Sequence, residues 1–209
     1  MREHRLLGCL GCGSTVVEAA FALAGIPLDY EEVDYEPGSP TRDRLLSVNP
    51  LGQVPALILP SGEVMTESLA MLHYVNDLEP SANLIPPPGD ATRRQFYHWA
   101  VFIVAALYPT WTYGDDPAKW AGPGEGAKRL KETTDEHRKR LWQQVEAAAG
   151  APWFLGERFS AIDLYVTVMS RWRPGRKWFL QEAPKLVAIA LAGEKLPAVA
   201  PVIERNFER

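Results

Sequence analysis

The order of apolar and polar positions divides the chain in two. Over residues 4–78, short apolar runs alternate with amphipathic stretches. Residues 4–9 read as a buried strand bounded by glycine. Ser14–Ala24 places Val17, Ala20, Phe21 and Ala24 at helical spacing; Gly25 stands where a left-handed cap is wanted, with Pro27 beyond it. Residues 28–35 alternate apolar and acidic side chains, the mark of a half-buried strand, and residues 41–48 predict a short helix. Two apolar runs, 56–59 and 64–66, flank Pro60-Ser61-Gly62-Glu63 and predict a hairpin. Residues 67–77 return to helical spacing through Leu69, Leu72, His73 and Asn76. The sum is an α/β module over residues 1–78.

Residues 79–90 hold Pro80, Pro86, Pro87, Pro88 and Gly89, a composition that stiffens the chain and blocks helix, and they are expected to be a linker. Residues 91–209 read as an all-α domain. A helix is expected over 90–108, a loop over the glycine- and proline-bearing 114–124, and a long helix over 125–149. The apolar face of that long helix is expected to carry Ala127, Leu130, Thr134, His137, Leu141, Val145 and Ala148. Ser160 followed by Asp163, with Phe159 ahead and Leu164 behind, predicts a capping box with an apolar staple, a structural role. Two shorter helices are expected after Pro184 and Pro197.

Composition narrows the function classes. The chain has 209 residues, 46% hydrophobic and 23% charged, the balance of an ordinary globular protein. Lys plus Arg number 22 against 26 Asp plus Glu, a net charge of −4, without the basic footprint that nucleic-acid binding needs. Two cysteines do not staple a secreted scaffold, and a cytoplasmic setting is expected. No apolar run approaches the ~20 residues of a membrane span, and the charged N-terminus lacks the pattern of a secretory leader. The four histidines, His4, His73, His98 and His137, show no metal-ligand spacing, so no metal is expected.

The most specific segment is Asn49-Pro50-Leu51-Gly52-Gln53-Val54-Pro55-Ala56-Leu57, followed after one hairpin by Thr66-Glu67-Ser68. A proline entering a strand removes a ladder donor, which makes Val54–Pro55 a candidate cis bond. Such a bond would turn the Val54 main-chain groups outward, where an extended peptide can pair with them as an added strand. Glu67 and Ser68 at a helix start combine a carboxylate, a hydroxyl and unpaired N–H groups. That set suits a zwitterionic amino-acid head, with Glu67 on the ammonium and Ser68 on the carboxylate.

On these residues, together with the proline-rich linker and the Phe-Ser-x-x-Asp box, the chain resembles the glutathione S-transferase family over almost its whole length. The resemblance implies a thioredoxin-like N-terminal domain and an all-α C-terminal domain. It implies glutathione as co-substrate, held by Gln53, Val54, Pro55, Glu67 and Ser68, a small hydrophobic electrophile facing the helical domain, and a homodimer. It also places the catalytic side chain in the loop Gly8-Cys9-Leu10-Gly11-Cys12-Gly13-Ser14-Thr15.

That loop must help make a thiolate from a thiol of pKa ~8.5, and a shift of about two units is worth ~2.7 kcal/mol. A hydroxyl aimed at the sulfur supplies roughly 1.5–3 kcal/mol. The loop has no tyrosine, which leaves Ser14 as the first candidate donor and Cys12 as the second. Ser14 is also the best N-cap for the first helix. Cys12 would form a mixed disulfide with glutathione rather than ionise it. Cys9-Leu10-Gly11-Cys12 spells C-x-x-C beside an α/β module, a redox signature, although Cys9 reads more simply as a buried small hydrophobe. Tyr108, Trp111 and Tyr113 are the candidate electrophile-site residues. The basic-aromatic stretch around Trp172, Trp178 and Phe179 reads as surface or interface. Three functions are therefore open: conjugation of glutathione to electrophiles, glutathione-dependent thiol–disulfide or peroxidase chemistry through Cys12, and a non-catalytic binding protein.

Overall fold

A computed structural model describes residues 3–36 and 38–208. They form two compact units. One runs from the N-terminus through Ile85 and takes in the chain from Leu191 onward; the other comprises residues 86–190.

The first unit contains β1 (His4–Gly8), α1 (Ser14–Ala24), β2 (Leu28–Glu32), α2 (Pro40–Val48), β3 (Ala56–Ile58), β4 (Val64–Met65) and α3 (Ser68–Leu78). The sheet order is β2-β1-β3-β4. β1 is parallel to β2 across the α1 crossover and antiparallel to β3, with Leu7 opposite Ala56 and Leu6 opposite Leu57. Leu7 and Ala56 pack with Val33 and with Leu45 of α2. Strand alternation sends the fully buried Leu6 and Leu57 to the opposite face. α1 packs on α3, and Gly25 caps it with φ 65° as its position requires. β1 and β2 both stop short of their apolar patterns. β1 ends at Gly8, which excludes Cys9 from the strand, and β2 ends at Glu32.

The first half of the expected linker belongs to this unit. Pro80–Ala82 forms one 3₁₀ turn, Leu84 and Ile85 are buried, and the Ile85 N–H donates to Asn76 Oδ1 at 3.0 Å. The unit boundary therefore falls after Ile85.

The second unit holds α4 (Arg93–Phe102), a π-helical turn at Ile103–Leu107, α5 (Pro109–Asp115), α6 (Pro117–Ala121), α7 (Glu125–Ala148), α8 (Ala161–Met169) and α9 (Arg176–Glu182); α10 (Pro184–Glu194) follows. Pro109 lacks the N–H of a regular turn, and the widened turn before it lets the helical path continue. The expected loop over 114–124 is corrected. Gly114 is buried inside α5, where a Cβ would lie 2.7 Å from Thr134 Oγ1. This glycine permits close approach of α5 to α7; it does not break the chain.

The buried face of α7 is also corrected. It carries Ala127, Arg138, Leu141, Trp142 and Val145, while His137 is exposed. Arg138 is 1% exposed. Its guanidinium donates to Thr110 Oγ1 (2.9 Å), to the Thr110 carbonyl (2.7 Å) and to Asp135, and lies 4.5 Å from the centre of the Trp111 ring. This charge, absent from the expected apolar face, is buried because α5 and α7 supply it with acceptors. The Trp172–Phe179 stretch is likewise partly core: Phe179 is fully buried with its ring 5.0 Å from Trp142.

α8 opens on the capping box read from sequence. Asp163 Oδ2 accepts the Ser160 N–H at 2.7 Å and Oδ1 accepts the Phe154 N–H at 2.7 Å. Phe159 sets its ring 5.1 Å from Trp153.

The last helix, α11 (Ala200–Phe207), packs on α1 in the first unit. The helical region expected to run through residue 209 thus gives its final segment, from Leu191, to the N-terminal unit. Among the described residues no helix is long and apolar enough to cross a membrane.

Candidate functional site

Asn49, buried at the end of α2, organises the segment before β3. Its Nδ2 donates to the Gln53 carbonyl at 2.8 Å and its Oδ1 accepts the Leu51 N–H at 3.2 Å. The Gly52 N–H closes on the Asn49 carbonyl at 2.8 Å, and Gly52 takes φ 62°, which glycine adopts without cost. One buried amide therefore shapes the whole Asn49-to-Gln53 turn. The chain leaves it through Val54–Pro55, and that peptide bond is cis. Pro55 is buried, and the Val54 side chain packs on the cluster of Leu7, Val33, Leu45 and Ala56.

The Val54 N–H, expected to stand open, donates to Tyr35 Oη at 3.1 Å. Tyr35 is 39% exposed, burial raises its phenol above the usual range, and its own carbonyl is held by the Arg42 guanidinium. A tyrosine nineteen residues upstream carries no sequence mark for this contact.

The hairpin supplies the second half of the site. β3 and β4 pair with Leu57 opposite Met65 and Ile58 opposite Val64. Val54–Pro55 leads directly into β3, and Glu67 and Ser68 follow two and three residues after Met65 of β4. Glu67 has φ 66° and ψ 106°, a conformation that costs a residue with a Cβ about 1–3 kcal/mol and that concentrates at functional sites. Its carbonyl accepts the Met71 N–H at 3.1 Å and so starts α3, while its side chain is exposed. Ser68, half-buried, is the first residue of α3.

The loop after β1 differs from its expected form. Cys9 and Cys12, both half-buried with Cα atoms 5.5 Å apart, are joined by a disulfide. Cys9 is therefore not an isolated buried hydrophobe. Ser14 is fully buried, and its hydroxyl donates to the Cys9 carbonyl at 3.0 Å and accepts the Cys9 N–H at 3.2 Å. It is not the N-cap; Gly13 holds that place. Gly8 allows this packing, since a Cβ there would lie 2.6 Å from Ser14 Oγ and 2.7 Å from Tyr30 Oη.

In the second unit the three candidate aromatics have unlike surroundings. Trp111 is 5% exposed, packed edge-on to Trp142 and Trp172 beneath Arg138, and is a core residue. Tyr108 is half-buried, and the exposed Tyr113 meets the Trp120 ring at 4.9 Å. Among the described residues no group of three or more His, Cys, Asp or Glu is arranged to hold a metal ion.

Comparison with known proteins decides the family. The chain is 38% identical over 206 residues to an Escherichia coli K12 protein named "Uncharacterized GST-like protein YncG", covering 97% of this chain and 98% of that one. The chain belongs to the glutathione S-transferase family. The glutathione S-transferase N-terminal domain family matches residues 14–78. Glutathione S-transferase GstA of Escherichia coli O157:H7 is 29% identical over 168 residues, 80% of this chain and 74% of GstA. A crystal structure of a glutathione transferase homologue from Sulfitobacter with bound glutathione superposes with a TM-score of 0.88 at 26% identity, covering 98% of each chain. The first unit of this glutathione S-transferase family member is thioredoxin-like, and its second is helical.

Proposed function

We propose that the chain is a glutathione transferase that joins the glutathione thiolate to small hydrophobic electrophiles, a detoxification reaction, and that it works as a cytoplasmic homodimer. The observation that carries this reading is the cis Val54–Pro55 bond at the entry to β3, whose hairpin partner β4 leads within two residues to the positive-φ Glu67 and to Ser68 at the start of α3. Glutathione is a peptide with an amino-acid head at one end. Its central main chain pairs with Val54 beside Gln53. Glu67 takes its ammonium, and Ser68 with the N-terminal end of α3 takes the adjoining carboxylate. Tyr108 and Tyr113 are the proposed contacts of the electrophile; Trp111, being core, is not.

Thiol activation falls to the loop after β1. Ser14 can serve the sulfur only by releasing the Cys9 carbonyl. A Ser14→Ala variant is expected to lower the conjugation rate by about tenfold or more if the hydroxyl acts on the sulfur, by the ~1.5–3 kcal/mol such a bond supplies. An unchanged rate removes Ser14 from the mechanism. The reading as a whole is tested by calorimetric titration with glutathione. Saturable heat at millimolar concentration or below is expected, and its absence overturns the proposal.

The bonded cysteines favour a second reading, glutathione-dependent thiol–disulfide or peroxidase chemistry through Cys12. Replacing Cys12 by Ser separates the two, because redox turnover requires that sulfur and conjugation does not.

A further inference from the structure

The peptide between the two cysteines is gripped from the far end of the chain. The Gly11 N–H donates to Asn206 Oδ1 at 3.1 Å, and the Thr15 hydroxyl donates to the same oxygen at 2.9 Å. Asn206 Nδ2 donates to Glu18 Oε2 at 3.0 Å and to the Val202 carbonyl at 2.8 Å. The Asn206 amide, 7% exposed, thus has its polar atoms engaged, three of the four bonds going to the C-x-x-C loop or to α1. Arg205 completes the clamp by pairing with Glu18 and stacking its guanidinium 3.9 Å from the Tyr30 ring centre.

Gly11 itself fits this arrangement. It takes φ 68°, and a Cβ there would lie 3.3 Å from the Phe207 ring and 3.4 Å from the Asn206 carbonyl. The glycine that makes this C-x-x-C look irregular in sequence is what lets α11 close over it.

We propose that Cys9–Cys12 is a two-cysteine redox centre that exchanges with glutathione, and that Asn206 on the C-terminal helix is its positioning residue. This rests on the glutathione reading of Val54 and Glu67. In the reductive half, a glutathione thiolate attacks the Cys12 sulfur and the Cys9–Cys12 bond breaks. Cys9 leaves as a thiolate and takes up a proton, and Cys12 carries glutathione as a mixed disulfide. A second glutathione thiolate attacks the glutathione sulfur of that adduct, releasing glutathione disulfide and the Cys12 thiolate. Two thiols are oxidised and one protein disulfide is reduced. In the oxidative half, the Cys12 thiolate attacks a substrate disulfide and releases one thiol; Cys9 then displaces the other and re-forms the bond. Cys12, one residue before the Gly13 N-cap of α1, is the better placed of the two to be a stabilised thiolate. Asn206 acts through the loop, since its bond to Gly11 holds the turn that brings the sulfurs together.

The test uses the full chain in glutathione redox buffers, with thiol alkylation and mass measurement as the readout. The pair is expected to pass from disulfide to dithiol as the thiol fraction rises, and glutathione is expected to reduce bis(2-hydroxyethyl) disulfide in the presence of the protein. Incubated with glutathione disulfide, Cys9→Ser is expected to trap one glutathionyl group on Cys12, and Cys12→Ser to lose turnover. A pair that stays bonded at every glutathione ratio, or a Cys9→Ser chain that takes up no glutathionyl group, overturns the redox centre. Asn206→Ala is expected to make the disulfide easier to reduce by about fivefold in equilibrium constant, roughly 20 mV. An unchanged equilibrium removes Asn206 from the proposal. Should that variant not fold, hydrogen exchange of the Gly11 amide in the parent chain decides the point: protection that differs between the disulfide and dithiol forms supports the clamp, and equal protection removes it. A parallel series with 2-mercaptoethanol separates the two readings. Equal exchange with both thiols leaves the redox centre standing and denies the glutathione site. Calorimetric binding of glutathione without any reduction does the reverse.

Discussion

The two units use unusual residues for opposite ends. In the N-terminal unit, Gly52, the cis Val54–Pro55 bond and Glu67 give the main chain unusual geometry, set beside Asn49, the Leu7 cluster on which Val54 packs, and the start of α3. In the helical unit, Trp111, read from sequence as an electrophile-site residue, is core, and the ionisable Arg138 and Asp163 are buried with their polar partners close by. Unusual backbone geometry shapes the candidate site. Polar side chains closed in by their own partners serve stability.

That contrast predicts large losses of stability in one unit and small changes of affinity in the other. Asp163→Ala comes first. It leaves the buried N–H groups of Phe154 and Ser160 without an acceptor, at ~1–3 kcal/mol each, so a loss of about 4 kcal/mol is expected in denaturant unfolding. The same carboxyl gives a pH signature. Burial pushes it up to about 7 against the hydrogen bonds from Phe154 and Ser160. Because the folded chain then holds this proton more tightly than the unfolded chain, its contribution is complete below the ordinary value of 3.8 and is lost as pH rises through about 7. Asp163→Asn should flatten that part of the stability profile; an unchanged slope would refute the assignment.

Arg138→Ala follows. Emptying the space under Trp111 and orphaning the Thr110 carbonyl should cost about 3 kcal/mol, read as a melting temperature lower by roughly 6–12 °C. Glutathione affinity should not move. If it did, the division of labour between the units would be wrong.

Glu67→Gln tests the other side. Loss of the charge opposite an ammonium should weaken glutathione by about tenfold, ~1.4 kcal/mol, with little change in melting temperature. Glu67→Gly should lose the same affinity while gaining up to ~1 kcal/mol of stability, since glycine accepts φ 66° freely. The smallest effect is expected at Tyr35. Its hydroxyl holds the Val54 N–H that a bound peptide has to take over. Tyr35→Phe should tighten glutathione by about twofold to fourfold, within the ~0.5–1.5 kcal/mol of one such bond. Weaker binding would make Tyr35 a ligand contact instead.

Much of this was legible along the chain. α1 runs Ser14–Ala24 and carries its left-handed Gly25, and the cis proline, the hairpin and the Ser160–Asp163 box lie where their residues indicate. These features depend on neighbours within a few positions: a missing N–H, a glycine at a positive φ, a side chain three residues from its acceptor. Where reading failed in the helical unit, the partner was distant. His137 and Arg138 are adjacent on α7, and helical spacing alone admits either; α5, with Thr110 and Trp111, selects Arg138. Gly114 reads as a breaker until α7 comes close enough to forbid a Cβ.

The loop after β1 shows both kinds of cause at once. Its sequence already contains the sulfurs, the glycine and the serine, and with them the menu of possible reactions. Which of them is available is settled by contacts both near and far along the chain. Asn206 reaches Gly11 across 195 residues, whereas the Ser14 hydroxyl turns back to Cys9 only five positions away and is buried. Local rules assign conformation because the competing states differ by interactions a few bonds apart. Availability of a group depends on what covers it, and for Gly11 that is fixed only when the chain brings its two ends together.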